Sequence, residues 1–506
     1  MITILDPASA YIFLVLFGTA MFLVTALASR QRKWHTAEGF MVAARRVPWW
    51  LGAISIAVSW IWAPALFVSV EQAYRQGIPG IFWFTLPNII CLFIMAPLAL
   101  RIRKLFPSGF SQPEWIRHRF DRRTHIMYLI PFFWYQLMAV TVQLYAGGNI
   151  FALLTGTSVE MVMLVLAVST PAYGALSGMR ASIITDFLQY VLIVTGGLLV
   201  IPWTVLSAGG LSSVSAGLGG LGGLHRSILD PQVAYNFGIV TTIGLISGVL
   251  ADQQHWQRAF SVEAVSLKKA YIVAGLMFGV VPIGLSLLGF LAANPALGIV
   301  LPQGVDPSMI GIVTVAHFLP GWAVLAFLVM LLAGLCSTLD SGLCAASSLY
   351  AMNCFKIPAA EQEALNKRAQ GLPVSPQEEQ LLARFDRKTL SRGRFAMFAI
   401  TLLGLAVALA VIHIPGFGLK YLWWIFNTVA ACVAVPTVLS LYWQGLNSRG
   451  VFWGVLAAFC AGIPLFVYAN IAQNTALIVG SSLGIIAVTG LFALLMPQGA
   501  KISQGA

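Results

Sequence analysis

Between Gly321 and Asn353 the chain carries Ser337, Asp340, Ser341, Cys344 and Ser348. Counted from Ser337 they fall at i, i+3, i+4, i+7 and i+11, one narrow stripe on a helix face. The residues around the stripe are apolar or small, and the stretch is long enough to cross a bilayer. A carboxylate at that depth costs roughly 2.5–3.5 kcal/mol on insertion scales, so Asp340 needs a partner, a proton or a cation. Serine and cysteine alone fit a close seam between membrane helices. Asp340 does not, and the stripe reads as a place where a cation or a proton is handled.

A second carboxylate, Asp186, lies inside another apolar stretch beside Thr185 and Gln189, after a turn at Ser177-Gly178 and Arg180. A third acid, Asp252, opens Asp252-Gln253-Gln254-His255-Trp256-Gln257-Arg258 at the end of a glycine-interrupted span. Asp252 reads as a structural partner of Arg258 or Lys268, and His255 as an interfacial side chain. Ser59-Trp60-Ile61-Trp62-Ala63-Pro64 sits mid-span. Proline removes a donor and clashes with the preceding turn, which gives either a packed kink or a helix broken over a cavity. Tyr135, Gln136 and Gln143 in one span, and Trp423, Trp424, Asn427 and Thr428 in another, are too polar for lipid and are expected inside.

These residues have to be positioned by membrane helices. The 506 residues are 59% hydrophobic and 9% charged, where soluble domains carry about 25% charge. The expected fold is all-α and integral to the membrane, with about 13 spans: 8–29, 50–70, 80–100, 125–148, 158–178, 181–206, 234–253, 270–293, 321–353, 395–414, 421–443, 451–471 and 475–496. With the N-terminus outside and the C-terminus cytoplasmic, 26 of the 29 Lys and Arg fall on the inside. That bias obeys the positive-inside rule and explains the net charge of +12 without nucleic acid. The first span reads as a retained helix, not a signal peptide. Trp34, Trp49 and Trp50 suit an interfacial belt. The basic stretch 101–124 reads as short helices with solvated charge, 207–233 as a flexible external Gly/Ser-rich connection, and 355–394 as a cytoplasmic insert of short helices. The six cysteines form no CxxC pair and read as small core residues, with neither disulfides nor a zinc site. No HExxH, GxSxG, Walker loop or GxGxxG in a βαβ setting is present, so nothing points to an enzyme.

The sequence resembles the sodium:solute symporter family, which includes bacterial proline, sugar and sialic acid symporters. The likeness is carried by Gly178-Met179-Arg180-Ala181-Ser182 with Thr185-Asp186 and Gln189, by Asp252-Gln253 with Trp256-Gln257-Arg258, by Ser337-Thr338 with Ser347-Ser348, and by Pro436-Thr437-Val438-Leu439-Ser440-Leu441-Tyr442-Trp443. Trp60-Ile61-Trp62-Ala63 and the segment after Asp252 look most like the urea-transporting branch. The resemblance implies an inverted five-plus-five repeat, spans two to six (50–206) and seven to eleven (234–445), with one helix before (1–49, including a basic loop) and two after (446–506). It implies a sodium site from the carbonyls of Val58, Ile61 and Gly334 and the hydroxyls of Ser337 and Thr338. A second cation or proton position would use Asp186, Asp340 and Ser341; here Asp340 stands where the family has a hydroxyl, which raises the charge. The sixth and ninth spans would bring Asp186 and Asp340 together, with Arg180 the nearest basic candidate, about 9 Å along the helix at 1.5 Å per residue and too far to reach either. Trp60, Trp62, Phe426 and Asn427 would line a small-solute cavity, and Ala65, Leu245 and Gly248 leave a hexose few partners. The expected function is sodium-coupled symport of a small polar solute (urea, or a similar amide, carboxylate or amino acid) in the plasma or inner membrane, with no cofactor beyond the coupling ion. Proton coupling, or a sensor built on the transporter fold, are the alternatives.

Overall fold

A computed structural model of the chain describes residues 5–28, 36–369, 371–414 and 418–496. The expected interfacial Trp34, the basic residues just before it and Lys501 in the tail lie outside the described residues. In chain order the helices are α1 (Pro7–Ala28), α2 (Ala37–Val42), α3 (Trp49–Trp60), α4 (Ala63–Leu66), α5 (Val68–Leu105), α6 (Gln112–Arg119), α7 (Arg122–Thr155), α8 (Val159–Ser177), α9 (Met179–Ser207) and α10 (Leu211–Ala216). They continue with α11 (Pro231–Val233), α12 (Ile239–Ala251), α13 (Gln253–Ser261), α14 (Leu267–Ala293), α15 (Ile310–Phe318) and α16 (Gly321–Asn353). The last six are α17 (Ala359–Ala369), α18 (Pro376–Val411), α19 (Leu419–Tyr442), α20 (Ser448–Ala457), α21 (Ile463–Ile471) and α22 (Thr475–Leu495). Among the described residues the only extended pairing is a parallel bridge between Val47 and Val262.

Twelve helices among the described residues are long and apolar enough to cross a membrane. The expected second span is not one of them. It is divided into α3, α4 and the start of α5, because one helix stops at Trp60 and the next at Leu66. Two helices are interrupted in this way: α3 gives way to α4, and α12 to α13. Leu16, Leu198, Val280 and Leu402 face outward on the long helices, while Gln136, Asp186, Gln189 and Asp340 are buried. That is the arrangement expected when lipid, not water, surrounds the bundle.

Three expectations about connecting segments change. The glycine-rich connection packs tightly instead of floating: Ile78 N–H donates to Leu218 O at 2.9 Å, and Leu221 N–H to Tyr74 O at 2.8 Å. Gly77 has φ +63°, and a Cβ there would lie 2.3 Å from Leu218 O, so this contact needs two bare backbones. The basic residues of 101–124 are not simply solvated. Arg119 donates to Ser440 O (2.6 Å) and Trp443 O (2.5 Å), and Arg101 to Leu441 O (3.0 Å), closing the last carbonyls of α19. In the 355–394 insert a Ser375–Glu378 capping box starts α18 at Pro376, so the expected tenth span is the latter part of a 36-residue helix. Of the cysteines, Cys354 and Cys460 are exposed and the other four buried.

Candidate functional site

A helix interrupted inside a bilayer must find other partners for its freed backbone groups. At the first break they come from side chains. Ala63 N–H donates to Gln143 Oε1 of α7 at 3.0 Å, and Thr338 Oγ1 of α16 donates to Ile61 O at 3.1 Å. Within the break, Ile61 N–H bonds Val58 O at 3.0 Å and Trp62 Nε1–H bonds Ser59 O at 2.9 Å. Gly334 stands one turn before Thr338, where a Cβ would come within 2.8 Å of Leu66, so its bare backbone lets α4 approach α16. Oxygen atoms of Ile61 and Thr338 thus face one another across the break. At the second break Asp252 Oδ1 caps α13 through Gln254 N–H at 2.9 Å and accepts from Gln136 Nε2 at 3.1 Å.

Below the first break lies a buried ionic cluster built by four helices. Asp186 of α9 accepts from Ser55 Oγ (2.5 Å) and Arg258 Nη2 (2.9 Å) on one oxygen and from Ser337 Oγ (2.7 Å) on the other. Arg258 of α13 also donates to Ser55 Oγ (2.9 Å), Gln254 O (3.1 Å) and Ser341 Oγ (2.7 Å). Ser341 Oγ is 3.3 Å from Ser182 Oγ. Asp340 Oδ2 accepts from Thr185 Oγ1 at 2.9 Å, while its Oδ1 has no hydrogen-bond partner among the described residues and sits against Gly174, where a Cβ would be 3.3 Å away. All of these charged groups are shielded, with Arg258 1% exposed and both acids 0%.

This cluster corrects the pairing expected from sequence. Arg258 bonds Asp186, not Asp252, because α13 continues inward from the break and carries Arg258 to α9. Arg180 makes no ion pair with Asp340, as its place at the start of α9 implied; the guanidinium that lies between Asp186 and Ser341 belongs to Arg258. Arg258 is also no loop residue, so it drops out of the loop charges counted for the expected orientation. His255 is 0% exposed rather than interfacial, its ring set edge-on to Trp60 at 4.9 Å.

At the break three rings form an aromatic box. Trp62 stacks on Phe426 at 5.1 Å and meets Tyr135 at 5.2 Å, and Tyr135 meets Phe426 edge-on at 5.2 Å. These rings, with Trp60, Asn88 and Trp423, line a cavity of about 20 Å³, room for a water-sized group. Asn427 does not line it. Its Oδ1 accepts from Tyr135 O–H at 3.3 Å behind the ring, beside Gly248, where any side chain would collide with both.

The family model for "Sodium:solute symporter family" matches residues 40–372. The chain belongs to that family. Among curated relatives, the urea-proton symporter DUR3 of Oryza sativa subsp. japonica is 22% identical over 98% of this chain and 72% of its own length. The urea active transporter of Saccharomyces cerevisiae is 24% identical over 85% of this chain, which spans only 59% of that relative. A sodium/glucose cotransporter of Vibrio parahaemolyticus is 23% identical over 84% of this chain and 78% of its own. Among solved structures, a substrate-bound, outward-open Na+-coupled sialic acid symporter superposes with a TM-score of 0.72 at 16% identity, covering 97% and 98% of the two chains. That likeness shows the fold.

Within this sodium:solute symporter, sequence reasoning missed two residues that complete the site. Gln143 holds the first break open, and Arg258 holds the second helix to α9. Both were visible as polar residues at spans, but only the fold shows what they face.

Proposed function

We propose that this family member is a sodium-coupled secondary symporter that takes up a small polar solute by alternating access. The observation that carries the reading is the meeting of Thr338 Oγ1 with Ile61 O at the helix break, beside Ser337. Neutral hard oxygens from a broken helix and a facing helix suit a monovalent cation that must be released again. Val58 and Gly334 would add carbonyls, and Trp60, Trp62 and Phe426, backed by Asn427, would form the solute cavity. Relatives named for urea transport support a solute of urea-like size. The N-terminus is placed outside and the C-terminus in the cytoplasm, following the distribution of Lys and Arg. Uptake of labelled urea, proline, acetate and pantothenate into proteoliposomes, with and without a sodium gradient, tests this. Accumulation of none of them under a sodium gradient would overturn it.

Proton coupling is the second reading, and one observation favours it. Arg258 already compensates Asp186, leaving Asp340 buried with Thr185 as its only bonding partner among the described residues. A buried carboxylate without a counter-charge takes up a proton or a cation. A rice relative is named a urea-proton symporter. An imposed pH gradient without sodium distinguishes the two.

A further inference from the structure

Leu402, Phe398 and Phe395 stand at four- and three-residue steps on one exposed, lipid-facing side of α18. Continued toward the start of the helix, the same side carries Ser391, Lys388 and Arg384, flanked by Arg387, and all four are exposed. From Phe395 to Lys388 the stripe turns from apolar to basic over about 10 Å, at 1.5 Å per residue. The headgroup layer of one leaflet is about 5–8 Å thick, and long basic side chains bend back toward it. Three rings mark the boundary. Phe355, just past the end of α16, meets Tyr350 edge-on at 5.3 Å, and Tyr350 lies 5.7 Å from Phe395. The Arg392 guanidinium lies over the Phe355 ring at 3.6 Å. Aromatic rings with basic neighbours are the side chains that suit the polar edge of a bilayer.

Arg384, Arg387 and Lys388 make no ion pair among the described residues. The acids of the same helix are committed elsewhere: Asp386 to Arg368 at 3.2 Å, and Glu378 to Lys367 at 2.6 Å. Glu379 precedes Arg387 by about 12 Å of helix. Lys356 adds an exposed charge next to Phe355. The patch therefore presents cations, with no acid among them, at the depth of lipid phosphates. We propose that Arg384, Arg387, Lys388 and Arg392, over Phe355 and Phe395, form a docking surface for the headgroup of an anionic phospholipid. A headgroup that carries its own ammonium is disfavoured, because that charge meets the same cations. Tyr350 belongs to α16, the helix of Ser337, Thr338 and Asp340, so the bound lipid rests against the membrane end of that helix. With the C-terminus in the cytoplasm, as proposed above, this is the inner leaflet. The inference is independent of the choice of solute and coupling ion.

The test is binding of short-chain phosphatidylglycerol and phosphatidylcholine to the full-length protein in neutral detergent, read by native mass spectrometry, with inorganic phosphate as competitor. Phosphatidylglycerol binds more tightly than phosphatidylcholine by about tenfold or more, and millimolar phosphate does not displace it. Each Lys or Arg beside an anionic headgroup is worth about fivefold, so Arg387→Gln with Lys388→Gln weakens phosphatidylglycerol about thirtyfold. Arg384→Gln alone, on an exposed turn, weakens it about fivefold and serves where the double variant fails to fold. Lys268→Gln with Lys269→Gln, at the exposed start of α14, removes the same charge from a helix that packs on α5 and α3, and changes the affinity by less than about twofold. An equal loss in that α14 variant, equal affinity for the two lipids, or wild-type affinity in the folded α18 variants overturns the docking surface. Displacement by millimolar phosphate overturns the lipid assignment and makes the patch a site for free anions.

Discussion

Arg258→Met should be among the most damaging single changes in the chain. The guanidinium is 1% exposed and makes hydrogen bonds to Ser55, Gln254 O, Asp186 and Ser341. Methionine fills the space but leaves Asp186 with two serine hydroxyls and no counter-charge. Removing one member of a buried ion pair costs about 3–5 kcal/mol, because the remaining charge stays desolvated. That is roughly two to three and a half powers of ten in the folding equilibrium. Asp186→Asn on the Arg258→Met background removes the stranded charge and keeps a side chain for Ser55 and Ser337, so it should recover about half of the loss or more. The assay is denaturation in mixed micelles followed by tryptophan fluorescence, run as a double-mutant cycle. A coupling below about 0.5 kcal/mol, the scatter of independent sites, would show that the two residues act separately and refute the argument. Arg258→Lys should fall between, since one ammonium cannot cover the directions that the fork of guanidinium donors reaches.

Ser337→Ala with Thr338→Ala should raise the half-saturating sodium concentration about tenfold or more, about 1.4 kcal/mol, with normal membrane insertion; unchanged sodium dependence of uptake would remove these hydroxyls from the ion path. Trp60→Ala or Trp62→Ala should raise the half-saturating solute concentration more than the sodium one, and wild-type uptake kinetics in both would make the rings packing residues. Asp340→Asn should change the pH profile of uptake or the number of sodium ions per solute, measured by dual-isotope flux, with Asp340→Ser the milder change; if neither quantity moves, Asp340 is not part of the coupling.

The membrane helices were legible because lipid exposure writes a long apolar run, and most of the expected edges fall within a few residues of the helix ends. Where local chemistry overrules hydropathy, they do not. The Ser375–Glu378 capping box extends α18 well before its apolar part begins, and the break at Ile61–Trp62 divides a run that hydropathy joins. The second break left only a weak trace, because Asp252 looked like the end of a span instead of the cap of a further buried helix. Ser337 could be picked out from its place in the stripe, and Thr338 from the family resemblance. The partner of Asp186 could not: Arg258 is 72 residues away in sequence and reads as a loop charge until α13 is seen to be buried. Pairing across distant helices has no periodic signature, which is why the two acids were recognised and the cation that pairs with Asp186 was not.

On the proposed reading, the position of Arg258 ties ion binding to helix movement. Ser337 Oγ–H donates to Asp186, and Thr338 Oγ1–H to Ile61 O. A cation binds the hydroxyl oxygens through their lone pairs and leaves both O–H groups to donate more strongly, so Ser337 holds Asp186 more firmly when the ion is present. Ser55 lies on α3, the first interrupted helix, and Arg258 on α13, the inner half of the second. The ion at α16 would therefore fasten the two broken helices to α9 through one carboxylate, and its departure would loosen both together. Asp340, one turn of α16 beyond Ser337 and bonded to the residue preceding Asp186, adds a charge to this junction that the helix packing alone does not require.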